Sequence, residues 1–179
     1  MNIGLAARAL MAATCLASAT ASAQDATPAW GLMAGVESAT GAFSNLAPGV
    51  AVGALAQQPF LTRQFALRTD VMFSSIGNNP CGDHCDATFS YSFLVSASFS
   101  FIARLNDPTT RWSPYAIAGG TAYLAESLPH LGIVKPDHFG FEGGLGFEVR
   151  LSQRTVFAET RYMGISPGAV VPVTVGIRF

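Results

Sequence analysis

From Phe89 to Ile102 the chain alternates. Odd positions carry Phe89, Tyr91, Phe93, Val95, Ala97, Phe99 and Phe101; even positions carry Ser90, Ser92, Ser96, Ser98 and Ser100, interrupted by Leu94 and Ile102. A period of two is that of a β-strand, here with one aromatic face and one serine face. The last nine residues repeat the pattern, with Val171, Val173, Val175, Ile177 and Phe179 on one face and Pro172, Thr174, Gly176 and Arg178 on the other. Six further segments predict strands: Ala29 to Ser38, Pro48 to Gln57, Phe65 to Ser74, Pro114 to Ala125, His138 to Arg150 and Thr155 to Gly164. Trp30, Leu32, Ala34 and Val36 oppose Met33, Gly35 and Glu37; Phe65, Leu67, Val71 and Phe73 oppose Arg68, Asp70 and Met72. The run V-A-V-G-A-L-A within Pro48 to Gln57 has two faces that are hard to tell apart.

An apolar face without a charged counterpart on the surface needs lipid or a core. Lipid outside and a small polar interior suit every segment, and eight is an even number, so the pattern predicts an all-β, eight-stranded antiparallel up-and-down transmembrane barrel. The outward sets are then Tyr115, Ile117 and Tyr123; Phe139, Phe141, Leu145, Phe147 and Val149; and Val156, Ala158 and Tyr162. With both ends in the periplasm, short turns fall at Gln58–Gln64, Arg104–Arg111 and Ser152–Arg154. The outer loops fall at Ala39–Ala47, Ser75–Thr88, Glu126–Asp137 and Ile165–Gly168. Aromatics gather near strand ends, with Trp30, Phe65, Phe101, Tyr115 and Phe179 at one level and Phe73, Phe89, Tyr91, Tyr123, Phe139 and Tyr162 at the other. Aromatic rings at both interfaces are what a bilayer favours.

Composition agrees. Charged residues make up 12% of the chain, about half the usual share of roughly 25%, and Lys135 is the single lysine. A soluble β-protein covers its surface and edges with charge. The formal net charge is −1, which excludes the basic stripe that nucleic-acid binding needs. Residues Met1 to Ala23 predict a cleaved signal peptide: Arg8, an apolar run from Ala9 to Ala19, and Ala21-Ser22-Ala23 as the cleavage site. That run is too short to span a bilayer. One domain, residues 24–179, is expected to remain.

The C-terminal V-T-V-G-I-R-F resembles the β-signal that closes bacterial outer-membrane proteins, and so implies that Val173, Val175, Ile177 and Phe179 serve assembly. Together with S-P-Y-A-I-A-G-G-T-A-Y (Ser113–Tyr123), F-G-F-E-G-G-L-G-F-E-V-R-L (Phe139–Leu151) and F-A-E-T-R-Y (Phe157–Tyr162), the mature chain resembles the small outer-membrane barrels that include opacity-type proteins and the transmembrane domain of OmpA. The resemblance implies residence in the outer membrane of a Gram-negative bacterium, with loops outside the cell. It implies contact with outer-membrane lipid, the assembly machinery and periplasmic chaperones, and a monomer. Relatives with a peptidoglycan-binding domain continue past the barrel; this chain stops at Phe179, so no such tether is expected.

Under this fold Glu37, Arg68, Asp70, Glu142, Glu148, Glu159, Arg161 and Arg178 point into the lumen. An eight-stranded barrel is only wide enough for side chains to fill it, so these charges predict an interior plug of salt bridges rather than a gated ion path. Glu142, Glu148 and Glu159 outnumber nearby arginines, so Ser, Tyr or water is expected to supply further donors. Cys81 and Cys85, the two cysteines that survive cleavage, predict a disulfide in an oxidising compartment. The rival reading, a metal site of Cys81, His84, Cys85 and an Asp, lacks zinc-site spacing. Neither His84, His130 nor His138 has a serine two residues on, so the His-x-Ser arrangement of lipid A deacylase barrels is absent. No nucleophile–base pair emerges and no cofactor is implied. The expectation is a non-enzymatic barrel with an envelope or surface-interaction role through its loops. The alternatives are a narrow channel for ions or small hydrophobic solutes, a lipid-modifying barrel enzyme, and a secreted lipocalin-like binder.

Overall fold

The computed structural model describes residues 28–41, 46–78, 91–107, 110–125, 139–165 and 168–179. These form eight strands: β1 (Ala29–Gly41), β2 (Leu46–Phe60), β3 (Thr62–Asn78), β4 (Tyr91–Arg104), β5 (Trp112–Ala125), β6 (Phe139–Leu151), β7 (Arg154–Ile165) and β8 (Gly168–Arg178). Each pairs with its neighbours in sequence, and β8 closes on β1 to complete the barrel. All eight pairings are antiparallel, and closure leaves no strand edge unpaired. On the seam, Gly31 faces Arg178 and Gly41 faces Gly168, and the Phe179 amide donates to the Trp30 carbonyl at 2.8 Å. The signal segment 1–23, Phe89, the Cys81–Cys85 pair, the three histidines and the loop residues Leu128, Leu131, Ile133 and Val134 lie outside the described residues.

At one end, the turn end, the connections are short. β2 and β3 meet at Leu61, whose φ of 60° is left-handed, and β6 and β7 meet at Ser152 and Gln153, with Ser152 at φ 52°. The expected turn Gln58–Gln64 is therefore far tighter than its sequence suggests: pairing runs on to Phe60 opposite Thr62, after a register shift at Pro59. Strand pairing also overtakes parts of the expected outer loops, since β1 runs to Gly41, β2 starts at Leu46 and β3 runs to Asn78. At the loop end the chain passes through 42–45, 79–90, 126–138 and 166–167. Every strand reaches or exceeds the 9–11 residues or so that a tilted strand needs to cross a bilayer.

The outer wall is apolar. Leu32, Val36, Val52, Val71, Phe99, Leu145, Val173 and Val175 are all exposed at positions inside their strands, Leu145 by 61% and Val175 by 59%. At the turn end, Phe65 stacks on Phe101 (centroids 5.2 Å apart) and Trp112 on Phe147 (5.8 Å). At the loop end, Phe141 lies 6.0 Å from Tyr162.

β5 is inverted relative to expectation. Tyr115, Ile117 and Tyr123 are buried in the lumen, while Ala118 and Gly120 are exposed outside. Tyr115 and Tyr123 therefore belong to neither outer aromatic level. A tyrosine has an apolar body and a polar tip, so it satisfies an interior that supplies both packing and an acceptor. Glu159 is that acceptor for Tyr115, whose hydroxyl donates at 2.7 Å. Room for the ring comes from Gly146, directly opposite Tyr115 on β6; a Cβ there would overlap the ring. Phe157 lies over Gly176 in the same way.

Candidate functional site: the charged lumen

Five of the eight strands deliver one or two buried charged groups from their inward faces. Arg68 and Asp70 come from β3, Glu142 and Glu148 from β6, Glu159 and Arg161 from β7, Arg178 from β8 and Glu37 from β1, and all eight are buried. Residues two apart on one strand point the same way, so Arg68/Asp70 and Glu159/Arg161 each present opposite charges to the lumen.

At the waist Arg68 and Arg161 face three carboxylates. Arg68 donates from both terminal nitrogens to the two oxygens of Glu159, at 2.8 Å each, and its Nε lies 3.4 Å from Asp70. Arg161 reaches Glu159 through Nη2 at 2.7 Å and Nε at 2.9 Å. Its Nη1 spans Asp70 (3.0 Å) and Glu142 (3.2 Å). Ser100 donates to the other oxygen of Glu142. A fork-to-fork arginine–carboxylate pair is among the stronger charge-assisted contacts, and here the pairs interlock across the bore.

Nearer the turn end Glu148 accepts from Arg178 and from Arg104 Nε at 2.7 Å, and Arg104 Nη1 also donates to the Arg63 carbonyl at 2.9 Å. The Phe157 ring lies between the tiers, 5.2 Å from the Arg68 guanidinium and 5.8 Å from that of Arg178. Below Glu148 a cavity of about 260 Å³ opens between Gln57, Gln58, Arg150 and Gln153.

The structure thus gathers seven of the eight charges singled out from sequence into two tiers, and leaves Glu37 apart, nearer the loop end. Sequence reasoning missed Arg104, assigned there to a turn. Its signal was its parity: it continues the inward series Ser96, Ser98, Ser100, Ile102. Ser100 and Tyr115 supply the neutral donors that the carboxylate surplus called for. Pro172, opposite Glu37 across the seam, has no amide hydrogen to donate. The β7–β8 ladder is interrupted there, between the Thr160–Val173 and Met163–Val170 pairs. Val173, Val175, Ile177 and Phe179 line the outer side of the seam, with the Arg154 guanidinium 5.9 Å from the Phe179 ring.

No family model matches the chain, and no curated protein matches it in sequence. Among solved structures, Neisserial surface protein A is similar over 87% of this chain and 98% of its own, with 15% identity and a TM-score of 0.60. Ail, the attachment invasion locus protein of Yersinia pestis, solved with the heparin analogue sucrose octasulfate, is similar over 85% and 99%, with 12% identity and a TM-score of 0.52. The same Yersinia protein in a phospholipid bilayer nanodisc gives 86%, 100%, 12% and 0.50. At these identities the likeness is one of fold: the chain has the closed eight-stranded architecture of small outer-membrane barrels.

Proposed function

We propose that this protein is a non-enzymatic barrel of the bacterial outer membrane, with a structural or surface-interaction role carried by the connections at its loop end. The observation that carries this reading is the inverted partition: an apolar wall outside and a buried, self-paired set of charges inside. A water-soluble barrel would place its charges outside and its apolar side chains within. Lipid is the solvent in which the observed partition is stable.

The loop end would then face the outside of the cell and the turn end the periplasm, as in bacterial barrels with short periplasmic turns. Closure of the sheet on itself leaves no edge for a second copy to extend, which supports a monomer. Outer-membrane lipid, the assembly machinery and periplasmic chaperones would be its partners. The waist ion pairs favour a wall element over a channel, because the side chains that could line a path are committed to one another. Gel mobility of outer-membrane fractions, unboiled against boiled, tests the reading. A fast-migrating folded band in the membrane fraction is expected; a soluble protein without a mobility shift would overturn it. Discrete conductance steps from purified protein in a planar bilayer would favour the channel instead.

A further inference from the structure

At the turn end the bore widens into the cavity of about 260 Å³ below Glu148. Arg104, Arg150 and Arg178 line it from β4, β6 and β8, with Glu148 as the side-chain carboxylate among them. That carboxylate is already shared, since it accepts from both Arg104 and Arg178. Arg178 is 7% exposed, yet its Nε has no hydrogen-bond partner among the described residues. Arg150 is half-buried and makes no ion pair with a described carboxylate. Positive charge exceeds negative in the lining even when a terminal carboxylate on Phe179, which also borders the cavity, is counted.

The surroundings strengthen that bias. Arg63, Arg111 and Arg154 stand at the same end, at or beside the starts of β3, β5 and β7, and the further acidic side chain described there is Asp107. A concave site walled by one sign of charge concentrates ions of the other. Gln57, Ala66, Glu148 and Arg178 in the lining belong to the buried, inward face, so the cavity belongs to the bore and its ligand comes from water rather than from the lipid side. We propose that this cavity is a binding site for a soluble phosphate-bearing anion, with Arg104, Arg150 and Arg178 as its cationic contacts. Guanidinium forks match phosphate oxygens in pairs, and three arginines from separate strands suit a tetrahedral anion better than a planar carboxylate, which one fork satisfies. Gln153 and Thr155 add neutral donors to the lining. The volume is several times the roughly 30 Å³ that one water occupies in the liquid, which admits a phosphate with a small organic group attached. The site lies at the turn end, apart from the loop-end connections on which the proposed role rests.

The test is equilibrium dialysis of radiolabelled inorganic phosphate against the full mature chain, folded in a non-ionic detergent that contains no phosphate, at constant chloride. Saturable binding of one phosphate per barrel is expected, with unlabelled phosphate competing and acetate competing at least about tenfold less well, since a carboxylate engages fewer donors. Arg150→Gln, which removes a charge that no described ion pair uses, is expected to weaken binding by about ten- to a hundredfold, the range for losing a charged hydrogen bond. Arg150→Lys keeps the charge without the fork and is expected to fall between that variant and wild type, which keeps the test decisive should Arg150→Gln not fold. Arg63→Gln removes an exposed charge at the same end but outside the cavity lining, and is expected to change the affinity by less than about twofold because salt screens it. Absence of saturable binding by the folded wild-type barrel would overturn the proposal. So would equal losses in Arg150→Gln and Arg63→Gln, which would mark a diffuse charge effect, or acetate competing as well as phosphate.

Discussion

Replacing Arg161 by Met removes the most heavily used cation of the waist while keeping much of its length and apolar bulk. Arg161 is 2% exposed and contacts three carboxylates, but their losses are unequal. Glu159 keeps the two-pronged contact with Arg68 and the Tyr115 hydroxyl. Asp70 keeps Arg68 Nε at 3.4 Å. Glu142 keeps only the Ser100 hydroxyl, so one buried carboxylate is left without a cation. Orphaning a buried charge in this way costs about 3–5 kcal/mol, or roughly two to four orders of magnitude in the folded-to-unfolded ratio. Glu142→Gln alone should cost less, about 1.5–3 kcal/mol, because Arg161 retains two carboxylates. The double variant should be more stable than the sum of the two losses by about 1–3 kcal/mol, since the second change removes the charge that the first one stranded. Urea unfolding in lipid vesicles, followed by gel mobility and by the emission of Trp30 and Trp112 on the outer wall, reads all four proteins. Strict additivity, or a double variant worse than the sum, would refute the assignment of Glu142 as the stranded group.

Three further outcomes are expected. Val175→Arg, on the exposed outer face of β8, should cost about 2–4 kcal/mol in lipid if mid-bilayer acyl chains surround it; a neutral result would mean that lipid does not meet that face. Gly146→Ala drives a methyl into the Tyr115 ring and should destabilise the barrel by about 1–3 kcal/mol, as overpacking does, with Tyr115→Ala in the same chain relieving part of the loss. Equal stability of Gly146→Ala and wild type would contradict the seat described for Tyr115. Deleting Phe179 removes a ring packed near Arg154 and the amide that bonds Trp30, and should lower the folded barrel recovered from outer membranes; unchanged recovery would argue against its assembly role.

The alternation of side chains is a property of the extended backbone, so the sequence alone determined which segments are strands, how many there are, and which residues share a face. It also determined that eight charged side chains share the inward faces, because they alternate with lipophilic residues along their strands, as Arg161 does with Tyr162 and Glu148 with Phe147. Where both faces carry apolar atoms, parity alone does not say which one is inside. β5 shows this: Tyr115, Ile117 and Tyr123 read as lipid-facing, yet the small residues Ala118 and Gly120 are the ones outside. The deciding facts, a gap over Gly146 and an acceptor at Glu159, lie on other strands. Partner choice in the lumen was equally out of reach. Arg68 meets Glu159 from 91 residues away, and Glu37 is left outside both ion-pair tiers. Those outcomes follow from the stagger of strands around a closed sheet, which sets the depth of each side chain in the bore and exists only once β8 has met β1.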